Sequence, residues 1–109
     1  MRLTGTQGFE VTINDRTYWA NKNTQGYVYV YVAERRTNVP VHRLIMEQIL
    51  GRYLLHEENV HHINGVRDDN RPENLELWNT SQPSGQRVAD KVRWATDILR
   101  LYTPEMLVP

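Results

Sequence analysis

Residues 61–78 constrain the fold of this chain most strongly, because they predict one β-hairpin with a long loop. Two arms, residues 59–63 and 74–78, have the composition of antiparallel strands. The loop between them is polar and contains the turn-forming pairs Asn64-Gly65 and Arg71-Pro72. Loops of this length in compact domains tend to be functional or mobile. The first arm carries the adjacent pair His61-His62, which packing alone does not readily explain.

Before the hairpin, side-chain types alternate along the chain in the way that is typical of antiparallel strands. Residues 9–13 and 16–20 alternate on either side of Asn14-Asp15, a plausible two-residue turn. Residues 27–32 alternate tyrosine and valine, which places the valines on one face and the tyrosines on the other. We expect the valines to pack inward. The tyrosines either cap a small sheet or stack on DNA, and the sheet-capping interpretation is favoured.

Two helices are predicted in the remaining segments. A charged loop over residues 34–38 precedes Pro40, which suits a first helical turn, and the apolar face of that helix ends before Gly51. A second helix is expected from about residue 85 or 86 to Tyr102, with a stripe that should be core: Val88, Val92, Ala95, Leu99 and Tyr102.

Length and composition indicate one small globular domain. The chain has 109 residues, of which 39% are hydrophobic and 24% charged, within the usual size of a domain. We expect residues 1–109 to form a single domain of the α+β class. Its N-terminal strands and helix, residues 1–58, would support a motif over residues 59–102, followed by a tail at residues 103–109.

Cysteine content and charge exclude several classes of protein. The chain has no cysteine, so disulfides and thiolate zinc sites are excluded, and any metal must have nitrogen or oxygen ligands. The 13 basic and 13 acidic residues balance, which argues against a module that coats nucleic acid nonspecifically. No apolar run approaches the roughly 20 residues of a membrane span, and the first residues lack the apolar core of a signal peptide. The absence of cysteine favours a cytoplasmic location, which is therefore expected.

The paired histidines have the chemistry that phosphodiester hydrolysis requires. A neutral histidine can take a proton from the attacking water, and a divalent ion can stabilise charge on the phosphate and the leaving oxygen. His61 and His62 could supply the metal ligand and the base a few ångströms apart. Successive side chains of a regular strand point to opposite faces, however, so a shared site requires the backbone to bend there.

Polar side chains around the pair have two interpretations each. Asn74 can bond the loop or an imidazole, or simply end a turn, and composition does not decide between these. Asp68, Asp69 and Asn70 could ligate a cation, although an acidic turn is usually only solvated. Four basic residues are placed to meet phosphates or to form a solvated surface: Arg67, Arg71, Arg87 and Lys91.

Four segments together resemble HNH (His-Asn-His) endonucleases, in particular the cysteine-free group found in bacteriophages and mobile elements. The resemblance covers roughly residues 26–102. The segments that carry it are Val41-His42-Arg43-Leu44-Ile45-Met46-Glu47, His61-His62-Ile63-Asn64-Gly65, Asp69-Asn70-Arg71-Pro72-Glu73-Asn74-Leu75-Glu76-Leu77-Trp78 and Ser81-Gln82-Pro83-Ser84-Gly85-Gln86-Arg87-Val88.

The resemblance implies a ββα-metal core and a DNA endonuclease that leaves 5′-phosphate and 3′-hydroxyl ends. It implies His61 as a metal ligand, His62 as the general base and Asn74 as the residue that fixes the loop and orients the base. His42 and Asn70 would be supporting residues. The implied cofactor is one divalent cation, Mg²⁺ or Mn²⁺, with Zn²⁺ or Ni²⁺ as ions that could bind in vitro. The implied partners are double-stranded DNA and phage DNA-processing proteins in a bacterial host cell.

The sequence departs from this family where the helix after the hairpin should begin. Many members have a histidine or asparagine there as the last metal ligand, whereas residues 82–86 contain neither. Gln86 could supply a side-chain oxygen, which suits a hard cation. The departure leaves open a degenerate HNH fold that binds DNA or protein without cleaving it. A third interpretation, a structural zinc site of His42, His56, His61 and His62, has no familiar ligand spacing.

Overall fold

A computed structural model describes residues 8–83, 85 and 87–107. The chain divides into two compact units, Met1–Asn79 and Thr80–Pro109. The fold is α+β, as the sequence predicts. The expectation of a single domain over the whole chain stays a prediction.

The first unit begins with a four-stranded antiparallel sheet in the order β1-β2-β3-β4. The strands are β1 (Phe9–Ile13), β2 (Arg16–Lys22), β3 (Val28–Val32) and β4 (Thr37–Pro40). Asn14 and Asp15 both have positive φ, 52° and 67°, as a tight hairpin turn between β1 and β2 requires. The turn prediction is confirmed. The valines of β3 are all buried, as expected.

Strand β4 is the main element that the sequence analysis did not predict. Residues 34–38 were expected to form a charged loop, but they contain the end of a 3₁₀ turn (Ala33–Arg35) and the start of β4. Pro40 is the last residue of β4 rather than the first turn of the helix. β4 pairs with β3 through contacts such as Val30 opposite Val39, which depend on tertiary pairing rather than on local pattern.

Helix α1 (Val41–Leu50) packs on the sheet and ends at Gly51, whose φ of 74° is the left-handed conformation that glycine adopts readily. The apolar residues between α1 and the sheet are Ile13, Tyr18, Ala20, Val28, Val30, Val32, Val39, Val41 and Leu44. A second small cluster, Met46, Val60 and Leu75, joins α1 to the hairpin that follows. α1 therefore packs against the sheet through the first cluster and against the hairpin through the second.

The connector after α1 is held by two buried carboxylates. Glu58 is fully buried and accepts two hydrogen bonds from the Arg52 guanidinium, both 2.8 Å, and one from the Leu55 amide, 2.7 Å. Glu47 accepts from the Leu54 amide at 3.0 Å and from the Arg35 guanidinium. Hydrogen bonds to these two carboxylates, rather than regular secondary structure, thus hold residues 51–57 in place before the hairpin.

Replacing Glu58 by glutamine is expected to lower the free energy of unfolding by about 1–3 kcal/mol. Glutamine cannot accept on both side-chain atoms, so a guanidinium hydrogen bond of Arg52 is lost in a buried environment. Urea denaturation followed by circular dichroism measures the change. Glu10→Gln, an exposed change on β1, is the matched control and should stay within about 0.5 kcal/mol. Equal stability of the two variants would contradict the buried role of Glu58.

The hairpin consists of β5 (Glu58–His62) and β6 (Leu75–Asn79), joined by a loop that ends in a 3₁₀ turn (Pro72–Asn74). The two strands are antiparallel, with His61 opposite Glu76 and His62 opposite Leu75. The predicted arms, residues 59–63 and 74–78, are each displaced by one residue from the observed strands. The hairpin itself is confirmed.

The second unit contains helix α2 (Val88–Tyr102) and a short 3₁₀ turn (Pro104–Leu107). α2 begins later than the predicted residue 85 or 86. None of its residues is buried, and Val88 is 75% exposed, so the expectation that its apolar stripe is core is wrong. Among the described residues, no helix is long and apolar enough to cross a membrane.

Candidate active site

The paired histidines project from opposite faces of the hairpin. β5 remains a regular strand through His62, so strand alternation, without a backbone bend, sets the directions of the two side chains. Alternation therefore places His62 with the buried side chains of β5, Val60 and Glu58, while His61 lies on the exposed face. The two imidazoles are in different surroundings and can perform different functions.

The His62 ring is oriented by Asn70. Its Nε2 lies 2.7 Å from Asn70 Oδ1. An amide oxygen accepts hydrogen bonds, so Nε2 is the donor in this contact and Nδ1 is turned away from Asn70. His62 is thus held with Nδ1 turned away from Asn70, which is the orientation that a general base needs.

Asn74 fixes the loop and is buried, with 6% of its surface exposed. Its Oδ1 accepts from the Asn64 amide at 3.1 Å, and its Nδ2 donates to Asn64 Oδ1 at 3.0 Å and to the Asp69 carbonyl at 2.8 Å. Of the two possibilities left open by the sequence, the structure therefore has Asn74 bonded to the loop. The link from Asp69 to the neighbouring Asn70 connects Asn74 indirectly to the His62 ring.

The acidic part of the loop is held by arginine and amide donors. Asp69 accepts two hydrogen bonds from Arg71, 2.8 and 2.9 Å, and one from Asn64 Nδ2, 2.8 Å. The Arg71 hydrogen bond, followed by that from Asn64, holds the pKa of Asp69 well below its usual range. Asp69 is thus a charged acceptor that organises the loop.

The loop is also attached to the N-terminal sheet. Lys22 Nζ donates to Asp68 Oδ2 at 2.8 Å, and Arg67 donates to the Gln25 carbonyl at 2.8 Å. The Arg67 guanidinium carbon also lies 5.1 Å from the centre of the Tyr27 ring. Sequence reasoning missed these contacts, because they join residues more than 40 positions apart and no local pattern indicates them.

His42 and Tyr27 form an aromatic wall beside His62. The His42 ring centre lies 4.8 Å from that of His62 and 5.5 Å from that of Tyr27. Burial, then the positive charges of His62, Arg43 and His61, lower the pKa of His42 to about 4. His42 is therefore uncharged at neutral pH and does not oppose a proton on His62.

These residues border an open cleft of about 430 Å³, lined by Tyr27, His42, Arg43, Asn59, Val60, His61, His62, Gly65 and Arg67. Although they leave opposite faces of β5, both histidines of the pair therefore line one cleft. The positive charge of Arg67 projects into it, and no carboxylate among the described residues pairs with this guanidinium. An imidazole with a free basic nitrogen and an unpaired cation thus share one polar cleft.

Residues 39–84 match the HNH endonuclease family. This segment is similar to HNH endonucleases. It contains α1 and the whole hairpin, so His42, His61, His62 and Asn74 all lie within it. No match was found among curated proteins, and none among solved structures. The match indicates similarity to endonucleases over this segment.

On the exposed face of the HNH hairpin, His61 stacks on Trp78. The ring centres lie 3.8 Å apart and the planes are 18° from parallel. Stacking uses the faces of the imidazole, while its nitrogens point out along the ring plane. Among the described residues, no hydrogen bond to either nitrogen of His61 is formed, so both remain available for a proton or a metal ion.

The other three predicted DNA contacts differ in their surroundings. Arg71 pairs with Asp69 and lies 3.5 Å from Glu73. In the second unit, Arg87 pairs with Asp90, whereas Lys91 is exposed. Gln86, the predicted last metal ligand, lies outside the described residues.

The structural zinc interpretation is wrong. Within residues 8–83, 85 and 87–107, no group of three or more histidine, aspartate or glutamate side chains is arranged to hold a metal ion. His42 and His62 are neighbours, but His61 projects from the other face of the hairpin and His56 lies in the connector. Any metal bound by the described residues would therefore have at most two such ligands.

Proposed function

We propose that this protein is a metal-dependent HNH endonuclease that hydrolyses DNA phosphodiester bonds and leaves 5′-phosphate and 3′-hydroxyl ends. The observation that carries the proposal is the His62–Asn70 hydrogen bond beside the Arg67 cleft. It supplies an oriented base and a cation at one polar surface, within a segment that matches the HNH endonuclease family.

His62 is the proposed general base. Its Nδ1 takes the proton of a water molecule that attacks the phosphorus atom of the scissile phosphate. The imidazolium that forms keeps its hydrogen bond from Nε2 to Asn70 Oδ1, which becomes charge-assisted and stronger. Because His42 stays uncharged beside it, this positive charge meets no cation on that side.

Arg67 is the proposed phosphate contact in the cleft. Its guanidinium donates one hydrogen bond to the Gln25 carbonyl and has further N–H groups for phosphate oxygens. The other proposed DNA contacts are Arg71, Arg87 and Lys91. Arg71 pairs with Asp69 and Arg87 pairs with Asp90, so we assign these two arginines smaller contributions to DNA binding.

The donors around His61 fit a divalent ion. A neutral imidazole with free ring nitrogens is a common metal ligand, and carboxylate and amide oxygens suit Mg²⁺ and Mn²⁺. His61 and Gln86 are the proposed ligands. When bound, the ion would supply positive charge for the phosphate and the leaving oxygen.

Metal-dependent cleavage tests the proposal on supercoiled plasmid DNA. With Mg²⁺ or Mn²⁺ at about millimolar concentration, where weak sites for hard cations are occupied, we expect nicked or linear product. Excess EDTA should abolish this cleavage. DNA ligase should reseal the nicks, since it requires 5′-phosphate and 3′-hydroxyl ends. Cleavage that persists in EDTA would contradict the metal dependence, and nicks that resist ligase would contradict the proposed ends.

A second candidate function is a degenerate HNH fold that binds DNA or protein. It is favoured by the absence, among the described residues, of any cluster of three acidic or histidine ligands. Gel-shift assays with the same plasmid distinguish the candidates. DNA binding without cleavage under Mg²⁺, Mn²⁺, Zn²⁺ and Ni²⁺ would support the binding module and contradict the nuclease.

A further inference from the structure

Three side chains meet on the exposed face of the hairpin. His61 lies directly opposite Glu76 in the strand register, and Trp78 is two residues along the same face of β6. Opposed residues of an antiparallel pair have Cβ atoms about 4.5–5.5 Å apart. The pairing therefore makes His61 and Glu76 direct neighbours on one face of the hairpin.

Trp78 contacts both partners. Its indole ring stacks on His61 at 3.8 Å, and its Nε1 donates to Glu76 Oε1 at 2.8 Å. One indole thus restrains an imidazole and a carboxylate on one surface. Among the described residues, Oε2 of Glu76 accepts no hydrogen bond, and Trp78 itself is 49% exposed, so the group is accessible from solvent.

We propose that Glu76 is a second ligand of the divalent ion, opposite His61, and that Trp78 is a positioning residue for both. This inference rests on the proposed metal-dependent function. It assigns a carboxylate to a chain whose residues 82–86 lack the histidine or asparagine expected there.

The donor set suits the metals already proposed. Carboxylate oxygen is a preferred ligand of Mg²⁺ and Mn²⁺, and Mg²⁺ sites commonly use one or two carboxylates and complete the shell with waters and substrate phosphates. One imidazole and one carboxylate would therefore hold the ion while several positions stay open for DNA. A site with only His61 and Glu76 as protein ligands is also consistent with the absence, among the described residues, of any group of three histidine or acidic ligands.

The indole contacts predict how each partner is held. Trp78 fixes the plane of the His61 ring by stacking, and its N–H fixes one carboxylate oxygen of Glu76, which leaves the other oxygen for the ion. This matches the general pattern in which hydrogen bonds and packing around a ligand orient it for the metal. Metal binding should therefore alter Trp78 fluorescence.

Mn²⁺ binding to the full chain tests the inference without any activity measurement. Electron paramagnetic resonance of free Mn²⁺ gives the dissociation constant for the unsubstituted protein and for Glu76→Gln. Glutamine keeps an acceptor for the indole N–H but removes the negative charge, and we expect affinity to fall about tenfold or more. Glu73→Gln is the matched control, since Glu73 is an exposed carboxylate of the same hairpin, and its affinity should be unchanged.

The fluorescence of the same samples provides a second readout. Mn²⁺ should quench part of the tryptophan emission in the unsubstituted protein, and that part should be missing in Trp78→Phe. Circular dichroism verifies that each variant is folded. Equal Mn²⁺ affinity for Glu76→Gln and the unsubstituted protein would overturn the inference, as would the absence of Mn²⁺ binding to the unsubstituted protein.

Plasmid cleavage measured in parallel separates the two proposals. If Mn²⁺ binds through Glu76 but no DNA is cut, the ligand assignment stands and the nuclease proposal fails. If DNA is cut with Mn²⁺ and Glu76→Gln binds the ion normally, the nuclease proposal stands and the Glu76 assignment fails.

Discussion

Replacing His62 by alanine is expected to slow DNA cleavage by about 10²–10⁴-fold, the usual contribution of a positioned general base. Alanine removes the Nδ1 that takes the proton from water and the Nε2–H that bonds Asn70. It leaves Arg67 and its contacts with Gln25 and Tyr27 in place. DNA binding should therefore change little while the rate of the chemical step falls, as measured under single-turnover conditions with saturating Mn²⁺.

The matched control for this prediction is His56→Ala. His56 is an exposed histidine in the connector before β5 and lies outside the cleft. Its replacement removes one imidazole without affecting the proposed chemistry, so the rate should stay within about twofold, as for ordinary surface changes. Equal loss of activity in the two variants would indicate that the effect of His62→Ala is general rather than catalytic.

Replacing Asn74 by alanine is expected to affect both stability and cleavage. The change removes three hydrogen bonds and leaves the Asn64 amide and the Asp69 carbonyl without their side-chain partner. The free energy of unfolding should fall by about 2 kcal/mol. A looser loop also displaces Asn70, so cleavage should fall by about 10–100-fold, as for residues that orient a catalytic or ligand side chain.

Urea denaturation and single-turnover cleavage measure these two effects on the same protein. Asn38→Ala, an exposed change on β4, is the control and should leave both quantities nearly unchanged. If Asn74→Ala remained as stable as the control, the loop-fixing role of Asn74 would be wrong. If it lost stability but cleaved at the normal rate, the link from Asn74 through Asn70 to His62 would be wrong.

Local pattern was sufficient to predict the elements with strong periodicity. Alternating tyrosine and valine predicted β3 and its buried valines, Asn14-Asp15 predicted the first turn, and the two arms around a polar loop predicted the hairpin. Each of these depends on side-chain alternation or turn chemistry within a few residues, which a single sequence displays directly.

Strand β4 could not be predicted in the same way. Its residues, Thr37–Pro40, are short, partly polar and end in proline, and they become a strand by pairing with β3. The exposed stripe of α2 is a second example, because periodicity indicates an amphipathic helix but not what covers its apolar face. Both errors arise where tertiary context decides the outcome.

The sequence proposes candidate site residues, but it does not indicate their contacts. The sequence identified His61, His62 and Asn74, and strand alternation already raised the possibility that the two histidines face apart, as they do. It did not indicate that Asn70 contacts the His62 ring while Asn74 bonds the loop. These asparagines are four residues apart in one turn, and only the loop conformation assigns their partners.

The contacts of Glu76 and Trp78 with the His61 side of the hairpin also could not be predicted from local pattern. The alternation of β6 places them on one face, but their relation to His61 depends on the register between β5 and β6. A shift of one residue would move His61 away from both. Contacts of this kind can be anticipated only when the pairing across a long loop is known.

The most direct test of the central claim is one plasmid assay that compares the unsubstituted protein, His62→Ala and His56→Ala with Mn²⁺, together with the DNA affinity of each. We expect the unsubstituted protein and His56→Ala to nick supercoiled DNA at similar rates, and His62→Ala to bind DNA normally while nicking at least about 100 times more slowly. Nicking by His62→Ala at the rate of the unsubstituted protein would contradict the assignment of His62 as the general base.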